Sequence, residues 1–495
     1  MSKQNIIAPD PILAIGFIDN CTLFPTHQAL FIDGQFYTYD DLLEKSEIIF
    51  AQLEQYNTPA FIGIYTNESV WTYAAILAVS MCGACYVPLD SNLPEQIIKK
   101  IIDESILTLI ISENKVAFSH KAAEIIIDVK TKRRTKMKTL INQKGAYLLF
   151  TSGTTGEPKG VAISKENAAA FFDHFKNNFD FNTHDKFLQP YALSFDVSVF
   201  SMFAAWNCGA CVYVVPEEGF KYLNSITMIK EHNITVSSLV PTVLLYVEKY
   251  LDQFSFPSLR YSFFSGDKLF QQLAVKWNKA AANALIYNCY GPTETTIVCT
   301  SYLWDEKTAD EESFNNIVPL GKPFKNMDFI FLDEQNKTNG ISGELCFTGV
   351  QVIDSYLGNK HDKTFFDYDE KKYYKTGDIA ALNEKGNLIF QGRKDSQVKI
   401  NGYRVELLEI ENTIRKILKM NVVVIAIPEK NVNKLFAFIE GNQVETNIKE
   451  QLAQFLPNYM IPNYYHFMPE FPKNSNGKID LQLLKQTTHA GKSIS

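Results

Sequence analysis

Between residues 37 and 215 the sequence alternates helical segments with short, nearly unbroken apolar runs. Examples are 60–65 (AFIGIY), 107–112 (LTLIIS) and 124–128 (EIIID). Apolar residues at consecutive positions, separated by helices, predict parallel sheets covered on both faces. Residues 319–390 change character. There the runs 328–332 (DFIFL), 343–348 (GELCFT) and 388–390 (LIF) are separated by turns and read as a compact, mostly antiparallel module. A charged stretch, 393–397 (RKDSQ), leads into a small α+β unit with an amphipathic helix at 406–419, strands at 422–426 and 435–440, and a helix at 448–455. The predicted class is α/β: a large N-terminal domain, 1–394, of two α/β subdomains plus a small β-barrel-like module, then a small α+β domain, 395–495. The 495 residues agree with this, since ~150 per domain gives about three structural units. Residues 487–495 read as a frayed end.

The formal charge of −7 argues against a nucleic-acid or anionic-membrane binder. The one basic run, 130–138 (KTKRRTKMK), reads as a solvated connector. Residues 1–10 are polar, and no apolar run approaches the ~18 residues of a membrane span, so a cytoplasmic protein without membrane insertion is expected. Two CGAC segments, 82–85 and 208–211, raise zinc or redox chemistry. Each ends an apolar helical stretch and precedes a strand-like run, so Gly83 and Gly209 read as helix stops and the cysteines as small buried fillers.

Residues 150–160 (FTSGTTGEPKG) follow the apolar end of a strand. Gly153 and Gly156 let the backbone approach an anion, and Thr151, Ser152, Thr154 and Thr155 supply hydroxyl donors, with Lys159 nearby. This is a phosphate-gripping loop but not a Walker A loop, because Glu157 and Pro158 separate the last glycine from the lysine. In 288–294 (NCYGPTE), Tyr290 offers a flat face for a base and Gly291-Pro292 forces a turn, while Thr293 and Glu294 present oxygens. Glu294 is a candidate Mg²⁺ ligand, since magnesium takes one or two carboxylates beside substrate phosphates. In 374–378 (YKTGD), Asp378 follows a glycine turn and can accept both hydroxyls of a ribose. In 476–478 (NGK), Lys478 stands on a tight turn, suited to neutralising a transferring phosphoryl group.

The order of these segments resembles that of the adenylate-forming superfamily: acyl- and aryl-CoA ligases, luciferases and nonribosomal-peptide adenylation domains. The resemblance extends through 36–42 (FYTYDDL), 83–90 (GACYVPLD), 343–345 (GEL), 391–400 (QGRKDSQVKI), 402–406 (GYRVE) and 456–462 (LPNYMIP), almost the whole chain. It implies a two-step reaction with ATP and Mg²⁺, in which a carboxylate attacks the α-phosphate, pyrophosphate leaves, and a thiol takes the acyl group. By resemblance Thr151 to Gly156 and Lys159 hold phosphates, and Asn288, Cys289, Tyr290, Gly291, Pro292 and Thr293 hold adenine and α-phosphate. Asp378 binds the ribose, with Gln391, Gly392 and Arg393 close by. Lys478 stabilises the adenylation transition state. Asp395 matches the hinge of a mobile C-terminal domain, and Lys399 a residue used only in the second half-reaction.

Residues 193–199 (LSFDVSV) indicate the branch. In amino-acid-activating members an aspartate at the position of Asp196 pairs with the substrate α-ammonium. The remaining pocket positions by the same alignment are Val197, Phe200, Ser238, Phe263, Ser265, Cys289, Ile297 and Val298, joined by Lys478. They imply a modest, mostly apolar pocket that excludes charged side chains. Length and the run 390–393 (FQGR) most resemble the D-alanine–D-alanyl carrier protein ligases, although those have Phe-Cys-Gly-Glu where this chain has 264–267 (FSGD). The resemblance therefore implies D-alanine or a small neutral or apolar L-amino acid. No phosphopantetheine site follows Lys478, so the implied acceptor is the phosphopantetheine thiol of a separate carrier protein. The alternatives are a carboxylate–CoA ligase and a catalytically silent nucleotide-binding protein.

Overall fold

A computed structural model describes residues 12–67, 69–134, 140–141, 144–152, 158–359, 362–395, 397–429, 432–442, 447–473 and 479–490. The chain divides into two compact units. The first comprises Met1–Ser91, Ile101–Phe150 and Gly160–Lys394, and the second Asn92–Lys100, Thr151–Lys159 and Asp395–Ser495.

The first unit contains the two expected α/β layers. A nine-stranded sheet has a parallel centre, in the order Leu285–Tyr290, Tyr261–Phe264, Val236–Leu239, Lys186–Gln189, Cys211–Val214 and Gln28–Ile32. Antiparallel strands flank it on both sides. A six-stranded sheet places Phe61–Thr66 and Cys85–Asp90 side by side and parallel at its centre. All of Cys85–Asp90 is buried, as a continuous apolar run predicts. The helix Val70–Met81 is buried at every position except Trp71, so it lies within the core rather than on its surface. Ser69 caps its start by accepting from the Trp71 N–H, and Gly83 follows its end at φ +84°. Gly209 does the same after the helix Val197–Asn207, at φ +78°. A Cβ there would stand 2.9 Å from Thr183 Cγ2, so glycine is required twice over. The cysteines beside these turns pack as expected, and burial pushes the Cys82 and Cys208 thiols up to about 12.

The third layer of this unit is an antiparallel sheet of Thr338–Asn339, Met327–Leu332, Ser342–Gly349, Lys371–Leu382 and Phe365–Tyr368 in that order, with Leu388–Arg393 also paired to Lys371–Leu382. The basic run is more than a connector at its centre. Arg133 reaches Glu44 and Glu47, and Arg134 reaches Glu54, on the helix Tyr39–Leu53.

In the second unit the helix Leu407–Leu418 packs on a sheet of Asn421–Glu429, Val432–Glu440 and Tyr464–Met468. Two sequence expectations are corrected here. The helix expected at 448–455 is regular only over Ile448–Leu452. Of the end expected to fray over 487–495, residues 487–490 instead belong to the helix Leu481–Ala490, and 491–495 lie outside the described residues. Asp480 caps that helix through the N–H groups of Gln482 and Leu483, and Leu484 is fully buried beside Phe471. Among the described residues no helix is long and apolar enough to cross a membrane.

Candidate active site

The strand Leu285–Tyr290 ends at Gly291, where a Cβ would lie 2.6 Å from Val298 Cα, so the returning chain passes too close for any side chain. Asn288 at the strand's end donates to the carbonyls of Val318 (3.2 Å) and Pro319 (2.8 Å). The Tyr290 hydroxyl donates to Asp378 Oδ2 at 2.5 Å. Burial, and next the Asp378 charge, push the Tyr290 phenol well above its ordinary pKa, which keeps it a donor.

Asp378 lies on Lys371–Leu382 directly across the hairpin from Arg393, with Gly392 opposite Ile379. Arg393 Nη1 donates to Asp378 Oδ1 at 2.5 Å, and Nη2 to the Thr376 carbonyl at 3.3 Å. Thr376 completes the frame, accepting the Asp378 N–H (3.0 Å) and donating to the Leu345 carbonyl (2.7 Å). The pair is largely dry, with side-chain exposures of 15% for Arg393 and 7% for Asp378. Each carboxylate oxygen accepts one of these bonds and retains capacity for another donor.

Glu294, in the short 3₁₀ turn Thr293–Thr295, has no solvent exposure. Tyr356 donates its hydroxyl to Glu294 Oε1 at 2.6 Å, and the Glu294 carbonyl accepts the Ile353 N–H. Among the described residues no three His, Cys, Asp or Glu side chains gather as a metal cage. A lone buried carboxylate fits a Mg²⁺ ion that takes its other oxygens from phosphates and water.

After this turn Thr296 (φ +60°) and Ile297 (φ +69°) both adopt the left-handed conformation, which is rare for β-branched residues. The buried Gln351 amide holds them there. Its Nε2 donates to the carbonyls of Thr295 (3.2 Å), Thr296 (3.4 Å) and Val298 (3.0 Å), and the backbone carbonyl of Gln351 accepts from Thr296 Oγ1 at 2.6 Å. Ile297 and Val298 are thereby turned inward and buried.

The remaining pocket positions come together on one face of the nine-stranded sheet. Register pairs Ser238 with Phe263 and Phe263 with Tyr287, so Ser238, Phe263, Ser265 and Cys289 share that face. All four are buried, as are Val197 and Phe200 at the start of Val197–Asn207. The Phe200 and Phe263 rings meet edge to face at 5.4 Å, which fills that side of the space. Asp196 immediately precedes the helix and is 8% exposed, but its side chain makes no capping bond. Its charge contributes to raising the pKa of both Tyr147 and Tyr191, after the larger effect of burial.

Thr151, Ser152, Lys159, Asp395 and Lys399 belong to the second unit. There Ser152 Oγ donates to the Arg404 carbonyl at 2.6 Å, Asp395 accepts the Gln397 N–H, and the Lys399 carbonyl accepts from Asn433. Lys159 is buried. Gly153, Thr154, Thr155, Gly156 and Lys478 lie outside the described residues. Gln391 is exposed on Leu388–Arg393. Sequence reasoning passed over Gln351, Tyr356 and Thr376. Gln351 and Tyr356 act on partners distant in sequence and leave no local pattern, whereas Thr376 lies within 374–378 and accepts the Asp378 N–H two residues on.

A profile of the AMP-binding enzyme family matches residues 17–357. The chain is 32% identical to zwittermicin A synthase ZmaJ of Bacillus cereus over 93% of its own length and 92% of that relative. It is 30% identical to a D-alanine–D-alanyl carrier protein ligase of Bacillus licheniformis, over 91% and 94% respectively. Other relatives are far longer, and the chain spans 8% of bacitracin synthase 3 from Bacillus licheniformis. Among solved structures, the Vibrio cholerae adenylation domain AlmE, in complex with glycyl-adenosine-5′-phosphate, superposes with a TM-score of 0.84. That match is 24% identical and covers 99% of this chain and 100% of AlmE, a likeness of fold.

Proposed function

We propose that this chain, which belongs to the AMP-binding enzyme family and is an amino-acid adenylating ligase, activates a small uncharged amino acid and delivers it to a separate carrier protein. The substrate carboxylate attacks the α-phosphorus of ATP, pyrophosphate leaves, and the phosphopantetheine thiol displaces AMP from the aminoacyl adenylate. D-alanine is the leading substrate. The ligase relative supports it, and Ser265 in place of that family's cysteine keeps small L-amino acids in contention.

The observation carrying this reading is the placement of Asp196. It is a buried carboxylate, not spent on capping its helix, beside a pocket closed on one side by Phe200 and Phe263. A substrate ammonium is a suitable ion-pair partner in such a site, whereas a fatty or aromatic acid offers nothing to a charge there. In this reading Asp378, fixed by Tyr290 and Arg393, accepts the ribose hydroxyls, and Asn288 to Thr293 border the adenine and α-phosphate. Glu294 would hold Mg²⁺, which supplies charge neutralisation on the departing pyrophosphate. Thr151 to Gly156 and Lys159 grip phosphates, Lys478 serves the adenylation transition state, and Lys399 serves transfer after movement about Asp395. Positioning and charge neutralisation account for most of such a reaction.

The test is ATP–pyrophosphate exchange across D- and L-amino acids and simple carboxylates, with Asp196→Ala alongside. Exchange with small amino acids that collapses in the variant is the expected result. Exchange supported only by carboxylates lacking the amine overturns the reading.

A further inference from the structure

Around the sheet face that carries Ser238, Phe263 and Cys289, two buried polar groups outside the aligned pocket positions have an oxygen without a good partner, the Gln189 amide and the Tyr191 hydroxyl. Val236 pairs with Phe187, which sets Gln189 level with Ser238, and Tyr191 follows just past the end of that strand. The Gln189 amide donates to the Tyr191 carbonyl at 2.9 Å and fixes the backbone there. The Tyr191 ring stacks on Phe195 at 5.5 Å with an interplanar angle of 11°, which fixes its plane beside Asp196. Its hydroxyl oxygen is shut off from solvent and makes no hydrogen bond of good geometry, the Ser238 side chain being near enough for a weak interaction. Ser238 stands beside that hydroxyl, and Asp196 is close enough for its charge to affect it.

A buried hydroxyl in this condition is costly unless something that enters the site satisfies it. The large ring, beside Ser238 and Asp196, also occupies space that a long substrate side chain would need. We infer that Tyr191 is a specificity-determining residue of this pocket: its ring limits the substrate to side chains no larger than those of alanine or serine, and its hydroxyl bonds the bound amino acid. This rests on the amino-acid reading above and adds a residue and a size limit to it.

The experiment is ATP–pyrophosphate exchange over glycine and over both enantiomers of alanine, serine, valine, leucine and phenylalanine, with the full-length wild type, Tyr191→Phe and Tyr191→Ala. The wild type is expected to rank short side chains first. Tyr191→Ala is expected to move the ranking toward leucine and phenylalanine by at least about tenfold in kcat/KM ratio, a shift that mere loss of packing does not produce. Tyr191→Phe is expected to keep the ranking and raise the amino-acid KM about tenfold, the worth of one hydrogen bond in a dry site, with the KM for ATP unchanged. Tyr191→Leu, which retains apolar bulk against Phe195, gives the same size test if the alanine variant does not fold. An unchanged ranking in both truncations overturns the size limit, and an unchanged KM in Tyr191→Phe overturns the hydroxyl's role. Absence of exchange with every amino acid in the wild type overturns the amino-acid reading itself, and this inference with it.

Discussion

Gln351→Met separates the mechanical support of the pocket from its chemistry. The side chain is 1% exposed, and its two amide N–H bonds are shared among three backbone carbonyls at 3.0, 3.2 and 3.4 Å. Methionine keeps most of the volume and removes all of these donors. Losing two effective hydrogen bonds at about 1 kcal/mol each, and leaving carbonyls unsatisfied, gives a predicted loss of about 2–4 kcal/mol. The left-handed Thr296 and Ile297 are strained residues that persist only while their surroundings hold them, so the segment is expected to relax. Ile297 and Val298 then lose their inward placement. Thermal unfolding of the first unit should shift down by about 3–8 °C. In the exchange assay the amino-acid KM should rise at least about tenfold and more than the ATP KM, because Tyr290, Asp378 and Arg393 make no bond to Gln351. A variant as stable as wild type to within about 0.5 kcal/mol refutes the structural role. Equal increases in both KM values refute the separation of pocket from nucleotide site.

Other perturbations act on separate parts of the molecule. Arg260→Met strips the buried Asp185 carboxylate of a two-oxygen partner at 2.7 and 2.8 Å, and Thr235 and the Asn182 N–H remain to it. A loss of about 2–4 kcal/mol in denaturant unfolding is expected, against near neutrality when Asp185 is also made Asn. Burial against Phe324 pushes His174 down to about 4, so the native state stays neutral while the unfolded chain protonates near 6.5. The unfolded state thus binds more protons in that window, and stability should fall as pH drops from 6.5 toward 4; His174→Leu should flatten that part of the melting-temperature profile. Arg393→Ala should raise the KM for ATP at least about tenfold with little change for the amino acid, since it leaves Asp378 without its cationic partner. Lys478→Ala should depress adenylation far more than transfer from preformed adenylate, and equal losses in both steps would show its role to be misassigned.

The parts of this site that the sequence made legible are those in which chemistry demands a residue type at fixed local spacing. Gly291 had to be glycine because Val298 passes 2.6 Å from where its Cβ would be, and a Gly-Pro pair announces such a turn. Asp378 and Arg393 face each other across one hairpin, so their pairing is within reach of a local pattern. The parallel sheets were equally plain, because Cys85–Asp90 is buried on both faces and is apolar as far as its last residue, Asp90. The final helix was misread although Asp480 is a good cap, because Leu484 finds its core on strands far earlier in the chain. The helix at 448 stops early for the converse reason: its last expected turn leads into Pro457, and Phe455 is exposed instead of packing.

What stayed hidden follows from the cost of burying charge. Glu294 and Asp378 are carboxylates buried within the fold, where electrostatic interactions are strong. A buried carboxylate is tolerated only when donors are fixed around it, and those donors cannot be its helical or strand neighbours, whose N–H groups already serve secondary structure. They come from elsewhere: Tyr356, 62 positions away, for Glu294, and Tyr290, 88 positions away, for Asp378. The strained segment at Thr296 is held in the same way by Gln351, 55 positions away. A single tyrosine or glutamine in a loop carries no sign of such a duty, since any polar residue is admissible there until the fold brings its partner. Local segments therefore announce which chemistry is present, while the remote donors decide whether its charged groups are hydrogen-bonded and held in place. Tyr191 belongs to this second class, and the same logic leads from its buried hydroxyl to a substrate that completes it.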